Sequence, residues 1–556
     1  MRPSLLLLVL PSAYSSFAFQ LPFGVPHFLK SASAVVIPQE SPSNPTTPRI
    51  AIIGAGAGGS SAAFWISKAK QRFGLDVEVD VYEKSDYIGG RSTVVYPHND
   101  KAYPAVELGA SIFVRANKNL WRASEEFQLN RTAFDDIDAA LGIWDGENLL
   151  FTYKGGWWDT AKLLWRYGYL SPTRTDSIVQ KVIQTFVTLY NPTPPKWTNV
   201  SALATEFEWT SLTEQTTKEY LESQGVSSQY IDEFVDAATR VNYGQDVDEI
   251  HALEGACSMA TAGAAGIIGG NFQMFEKFLE SSGANVKLNT AVTSITPSTG
   301  STTSQWTVST KQGSNDYQAV IIAAPIHQTG ITLPSEIISQ VPEQPYVHLH
   351  VTLLTTTLPS ANPAYFGLSS SGAVPGMLLT SGQGFRNGGK APEFNSLSYH
   401  GAVKEGEWAV KIFSQEKVED EWLNEMFNGT VTWVYRKEWQ AYPKLPPTST
   451  FPPVQLEKGL YYVNAFEPFI STMETETISS RNVVDLLLNE EFDSGICSSN
   501  VQRPSYPSAE VEDAQVIIEA TGESVHHEAH EPKDEAHQTP VSKSVDDKDF
   551  VYGWDC

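Results

Sequence analysis

Residues 49–59 read RIAIIGAGAGG, and no other stretch constrains the chain so tightly. An apolar run at 50–53 enters a turn with Gly54, Gly56 and Gly59 in G-x-G-x-x-G spacing, and small residues at 60–63 follow at once. A strand that feeds a helix through such a turn binds a dinucleotide. The first glycine permits the tight turn, the second lets a pyrophosphate approach the backbone, and the third lets helix and strand pack closely. Ala55 and Gly58 contribute backbone to the same cradle, and the helix N-terminus favours the anion. The pattern predicts a helix over 60–73 and a second strand over 77–82. That strand ends in Glu83, where a carboxylate can accept hydrogen bonds from ribose hydroxyls.

The next residues decide which dinucleotide. Lys84 follows Glu83, and a second glycine pair, Gly89 and Gly90, leads into Arg91, a guanidinium able to reach a pyrophosphate. The run YEKSDYIGGRS resembles the flavin motif of the amine oxidase and phytoene desaturase type. Glu107-Leu108-Gly109-Ala110-Ser111 resembles the strand and turn that these flavoproteins place beside the isoalloxazine ring. The resemblance implies FAD as the cofactor, with Lys84, Gly90, Arg91, Gly109, Ala110 and Ser111 among its contacts.

The opening residues fit a secretory signal peptide: Met1-Arg2, an apolar centre at 5–10, and Ser16-Phe17-Ala18 as a cleavage site, giving a signal over 1–18. No other apolar run reaches the roughly 20 residues a membrane helix needs. The expected destination is a lysosome, a vacuole or the extracellular space. Sequons at Asn130, Asn199 and Asn428 agree with that route and are candidate N-glycan sites, whereas Asn44 and Asn191 precede proline. With only Cys257, Cys497 and Cys556, no disulfide framework is expected. Cys257, among small residues in GACSMATAGAAG, reads as a packed thiol rather than a nucleophile.

A net charge of -26 makes nucleic acid an improbable partner. Much of the charge is local: residues 509–556 hold thirteen Asp or Glu against three Lys, a net of -10. The stretch 493–556 therefore reads as an acidic disordered tail, in which His526, His527, His530 and His537 are solvated rather than metal ligands. Residues 19–48, rich in Pro and Ser, read as a linker.

The fold expected is α/β, a Rossmann-like FAD-binding domain of the amine oxidase type with a mixed α+β substrate domain, each split along the chain. The FAD-binding parts are placed at 49–115, 251–330 and 451–492, and the substrate parts at 116–250 and 331–450. Apolar alternation over 285–295 and a strand over 317–323 suggest the second FAD part, where the resembling flavoproteins present backbone at the position of Val292 to the adenine. A strand and turn over 459–467 lead into a helix in the third, with Glu467 placed for ribityl hydroxyls. The aromatics Trp121, Trp144, Trp157, Trp158, Trp165, Tyr167 and Tyr169 fill a core, line a pocket for a long apolar ligand, or rest on a membrane surface.

Two further segments narrow the family. Arg240-Val241-Asn242-Tyr243-Gly244-Gln245, followed by Gly269-Gly270-Asn271, resembles the R-V-N-Y-G-Q and G-G-N pattern of prenylcysteine oxidases. Trp439-Gln440-Ala441-Tyr442-Pro443 and the run GLYYVNAFEPFISTMETETISSRNVVDLL are similar to that family's W-x-A-Y-P and L-Y-Y-L-N segments. The resemblance spans about 49–490. It implies a thioether oxidase that turns farnesyl- or geranylgeranyl-cysteine, water and O2 into cysteine, a prenyl aldehyde and H2O2 by oxidation of the allylic carbon next to sulfur. Arg240, Asn242, Tyr243 and Gln245 are then candidates for orienting substrate or water, or else form a structural turn beneath the ring. His348 and His350, alternating with apolar residues in YVHLHVTLL, share one strand face and are structural unless one faces the site. The closing segment departs from amine oxidases in having Ala465-Phe466-Glu467 and in carrying Glu474 and Glu476 at a helix start. The rival readings are an amine oxidase or polyene oxidoreductase of the same fold, and a flavin-binding protein without turnover.

Overall fold

A computed structural model describes residues 47–133, 140–299, 305–497 and 550–556. The signal segment and nearly all of the linker lie outside the described residues, as do the four tail histidines.

Strand β1 (Arg49–Ile53), helix α1 (Ala57–Phe73) and strand β2 (Glu78–Tyr82) form the opening unit. The helix starts three residues earlier than the small-residue run suggests, because the turn glycines enter it directly. It stops at Gly74, whose φ of 65° caps it and whose N–H bonds to Lys70 O. β1 is central to a six-stranded sheet in the order Gln455–Glu457, Leu460–Tyr462, Ala319–Ile322, β1, β2, Asn285–Lys287. All pairs are parallel except the first, with Ile52 opposite both Ile321 and Val81. A parallel strand covered on both faces needs apolar residues throughout, and Ile50, Ala51 and Ile52 are fully buried. The alternating run at 285–295 divides. Asn285–Lys287 edges this sheet, while Val292–Pro297 joins an antiparallel three-stranded sheet with Trp306–Thr310 and Gly313–Tyr317.

A seven-stranded sheet draws on residues 141–153 and 346–443. Helix α2 (Trp157–Tyr167) leaves its edge strand Leu149–Tyr153. At the other edge β5 (Val431–Pro443) pairs with β3 (Tyr346–Thr356), which pairs with β4 (Glu407–Ser414). The odd-numbered residues Leu349, Val351 and Leu353 of β3 pack with Ala409, Phe413 and Ala441 against Val106 and Leu108. That contact seats the sheet on the strand and turn at 106–111.

Helix α3 (Met473–Phe492) completes the first domain. It lies against α1, where Gly58, Gly59, Ser60, Ser61, Ala62 and Ala63 are all buried and permit close approach. Ser480 Oγ bonds to Gly58 O, and Trp65 Nε1 donates to Thr477 O at 3.1 Å.

The far end of the chain corrects two expectations. Residues 550–556 are ordered and buried, with Trp554 packed on Phe64, Trp65, Phe127 and Phe278. Arg72 donates to Gly553 O and Trp554 O at 2.9 Å, and Arg481 donates to Tyr552 O at 2.9 Å. Cys556 is disulfide-bonded to Cys497, so the chain does carry a structural crosslink. A cysteine count cannot reveal a pair 59 residues apart, and the acidic composition hid the apolar residues Val551, Tyr552 and Trp554 that bring the segment home. Closing a loop of that length in the unfolded chain is worth about 4 kcal/mol. Cys497→Ser is therefore expected to lower the unfolding free energy by about that amount, read as a lower denaturation midpoint that reductant reproduces in the native protein.

Candidate active site

The turn after β1 is locked by its own backbone. Gly54 has φ 107°, its N–H bonds to Tyr82 O at 2.8 Å, and a Cβ there would meet Ala323 O at 2.6 Å. A Cβ at Gly59 would lie 1.9 Å from Gly54 O. Gly56 is different, since its nearest neighbours are the atoms of Gly89 and Gly90 at 3.7 Å and beyond. The two glycine loops thus face each other, joined by Gly89 N–H to Ala55 O at 2.9 Å, and leave the gap that a pyrophosphate requires.

At the end of β2 the buried Glu83 accepts from Ala55 N–H at 2.9 Å and from Ser85 N–H at 2.8 Å. The segment leading to the buried Val292 lies alongside, through Thr290 N–H to Glu83 O and Asn289 N–H to Ser85 O, both at 2.8 Å. Lys84 is exposed.

The other end is organised by Glu467. Its side chain is buried, ion-paired to Arg91 at 2.5 Å, and accepts from Tyr346 Oη at 2.6 Å and Asn464 Nδ2 at 3.1 Å. Arg91 also donates to Ala441 O at 3.0 Å. A shallow recess opens here, lined by Pro325, Tyr346, Tyr462, Asn464 and Pro468 among others.

The 107–111 turn is held from two sides. Asn271 N–H donates to Glu107 Oε1 at 2.5 Å and Asn271 Nδ2 to Ala110 O at 2.7 Å, which explains the asparagine of the Gly269-Gly270-Asn271 run. Lys411 Nζ on β4 donates to Glu107 O and Ser111 Oγ, both at 3.1 Å. Ala110 has φ 52°, and a Cβ at Gly109 would meet the Trp439 ring at 3.2 Å. Burial pushes Lys411 down to about 8 and Glu107 up to about 7. Lys411 escaped the sequence reading, although a lysine among the apolar residues of WAVKIF was a signal of a charge facing inward.

The two acidic residues at the start of α3 have separate roles. Glu474 accepts from Asn119 N–H at 2.8 Å, Leu120 N–H at 3.0 Å and Tyr190 Oη at 2.5 Å, so it caps the helix Lys118–Glu126 from outside. Glu476 points at the glycine turn, where a Cβ on Gly58 would meet it at 2.9 Å. Burial and then the charge of Glu467 push it up to about 8. Glu476 Oε1, Asn464 Oδ1 and Glu107 Oε2 are buried with no hydrogen-bond partner. Orphaned acceptors beside an open glycine cradle fit a hydroxyl-rich dinucleotide.

The R-V-N-Y-G-Q residues spend their bonds on the protein. Arg240 donates to Thr380 Oγ1 at 3.1 Å and Asp246 Oδ1 at 2.5 Å, and Asn242 donates to Ala238 O and Ser258 O at 3.0 and 3.2 Å. Gln245 donates to Pro443 O at 3.1 Å and accepts from Leu445 N–H at 2.7 Å. Arg240, Asn242 and Tyr243 lie on the helix Asp236–Tyr243, which Gly244 ends at φ 65°. Tyr243 stacks edge-on with Tyr442 and hydrogen-bonds Glu254, which accepts from Ser471 N–H at 3.2 Å just before α3. His251 Nδ1 accepts from Glu254 N–H, so its Nε2–H faces Pro468 O at 3.2 Å; burial holds it at about 4, a neutral ring. Cys257 is a free thiol pushed up by burial and Glu254, as a packed rather than reactive group should be. His348 and His350 do share a face of β3, opposite the residues that pack on the 106–111 strand, and His348 Nε2 lies 2.7 Å from Glu438.

The comparisons follow this geometry. A family profile described as prenylcysteine lyase matches residues 152–497, and a NAD(P)-binding Rossmann-like profile matches 52–127. The chain belongs to the prenylcysteine lyase family. Farnesylcysteine lyase of Arabidopsis thaliana is 29% identical over 474 residues, covering 82% of this chain and 91% of the relative. Prenylcysteine oxidase 1 of Homo sapiens is 30% identical over 467 residues, covering 78% and 87%. Among solved structures, a putrescine oxidase triple mutant superposes with TM-score 0.54 at 15% identity, over 80% of this chain and 99% of that one. Cyclohexylamine oxidase from Brevibacterium oxydans gives 0.52 at 16%, over 80% and 99%. These last two share the fold, and with the Rossmann-like profile and the prenylcysteine oxidase relative they make FAD the cofactor.

Two outcomes follow. Gly59→Ala should leave protein with at least about tenfold less bound FAD, measured by flavin absorbance against protein, because the turn cannot close. The second concerns pH. Burial raises Glu254 to about 8, so the folded chain keeps a proton that the unfolded chain loses. Its stabilisation is full below the unfolded value near 4.5 and is lost as pH rises through about 8. Glu476 at about 8, and Glu107 and Glu474 at about 7, act in the same direction. From about pH 7.5 to 8, where His251 is almost wholly neutral whether folded or unfolded, the melting temperature should fall with rising pH. Glu254→Gln should flatten that dependence.

Proposed function

We propose that this chain is an FAD-dependent thioether oxidase that cleaves prenylcysteine. The observation that carries this reading is the union, in one body, of a complete dinucleotide cradle with the segments 152–497 that match prenylcysteine lyase. The relatives' names, farnesylcysteine lyase and prenylcysteine oxidase, point to a prenylated cysteine as substrate.

The backbone of Gly54–Gly59 and Gly90 takes the pyrophosphate, Glu83 the adenosine ribose, and Glu467, Asn464 and Glu476 the hydroxyls of the flavin chain. Bound FAD supplies the acceptor for two electrons from the allylic carbon next to sulfur, and O2 reoxidises it to give H2O2. The protein's share is modest. It must bring that carbon to the ring, exclude competing nucleophiles and admit one water, whose addition gives a thiohemiacetal that collapses to prenyl aldehyde and cysteine. Lys411 and Asn271 hold the 107–111 turn in one position during this, and Arg91 holds Glu467 in place. In this reading the route is secretory, ending in a lysosome, a vacuole or outside the cell, with N-glycans at the exposed Asn130, Asn199 and Asn428.

Anaerobic mixing of the yellow protein with S-farnesyl-cysteine is expected to bleach the flavin, and admitting air to yield farnesal, cysteine and peroxide. Bound FAD that stays oxidised would reject the substrate while leaving the fold intact.

A further inference from the structure

Helix α2 is amphipathic in the direction opposite to that of a water-facing helix. Asp159, Leu163, Arg166 and Tyr167 point inward: Tyr167 is buried, Arg166 pairs with Glu233 at 2.6 Å, and Asp159 accepts from Lys154 N–H at 2.7 Å. At 100° per residue, Trp157, Leu164, Trp165 and Trp158 occupy the outer face together. Trp165 is 91% exposed, the two other indoles are 62% and 65% exposed and stack on each other at 3.6 Å, and Tyr169 and Leu170 extend the patch past the helix end. A folded protein seldom leaves such a contiguous apolar patch in water unless something covers it.

We infer that this face is a docking surface for an anionic phospholipid bilayer. Its side chains are those that settle at the headgroup level, indole and phenol rings with a polar edge, together with leucines that reach the acyl boundary. Its charge also fits that partner. With Arg166 neutralised by Glu233, residues 154–181 leave the exposed Lys154, Lys162, Arg174 and Lys181 against Asp159 and Asp176, a net of +2 in a chain of net -26. A two-fold contact with a second copy would set these cations against themselves, whereas anionic headgroups neutralise them. An eleven-residue helix is about 16 Å long, too short to cross a bilayer but well suited to lie flat in one. No described helix is long and apolar enough to span a membrane, so this contact is interfacial.

The test needs no substrate and is independent of the thioether reading. The FAD-loaded protein is co-sedimented with vesicles of phosphatidylcholine, with and without phosphatidylserine, at low and high salt. Binding to the anionic vesicles that weakens with salt is expected, and Trp157→Ala/Trp158→Ala/Trp165→Ala should lower the partition coefficient at least about tenfold. Lys154→Glu/Lys162→Glu should abolish the preference for phosphatidylserine, and both variants should retain native flavin absorbance. Equal partitioning of native protein and the tryptophan variant would overturn the proposal, as would no vesicle binding by the native chain. A concentration-dependent dimer, dissociated by the tryptophan substitutions and indifferent to vesicles, would assign the face to self-association instead.

Discussion

One buried carboxylate holds the site together. Glu467 meets Arg91 from the opening unit, Tyr346 from the first residue of β3 and Asn464 from the turn before α3, so three distant stretches of chain converge on two oxygens. Removing such a group from water is costly, and the guanidinium and the two further donors offset that cost. The dependence runs the other way too. Loss of either partner of a buried pair typically costs about 3–5 kcal/mol, because the survivor is left charged and alone. The stretches that build the six-stranded and the seven-stranded sheets are therefore tied to one another at this pair.

Around that pair the site is built from acids that burial keeps protonated and from a histidine that burial keeps neutral. Glu254 and Glu476 rise to about 8, Glu107 and Glu474 to about 7, and His251 falls to about 4. Neutral groups of this kind can position backbone N–H groups without building up charge next to an electron-accepting ring. The arrangement also connects the R-V-N-Y-G-Q segment to the cofactor at one remove. Tyr243 holds Glu254, Glu254 holds the N–H of Ser471, and Ser471 stands at the entrance to α3.

Much of this was legible in the sequence, and the reason is locality. The glycine turn, Glu83 and the Gly89-Gly90-Arg91 loop sit within a few dozen residues of one another, and each glycine answers to a steric demand that spacing alone expresses. What escaped notice depends on the fold's long-range closure. Glu474 looked misplaced at a helix start beside flavin until its acceptor oxygens were found capping another helix some 350 residues earlier, at Asn119 and Leu120. Lys411 gains its meaning only when β4 lies over the 107–111 turn. Trp157, Trp158 and Trp165 could be core or surface on composition alone, and only the inward turn of Tyr167 settles which way the helix faces.

The disulfide changes what the acidic stretch is. With Cys497 joined to Cys556, and Trp554 wedged among Phe64, Trp65 and Phe278, the intervening chain is a closed ring rather than a free end. A protease that cuts it once opens the ring but releases nothing, since both new fragments stay anchored to the body. Where proteases are present, a highly charged segment can in this way be nicked while the apolar plug over α1 stays in its seat.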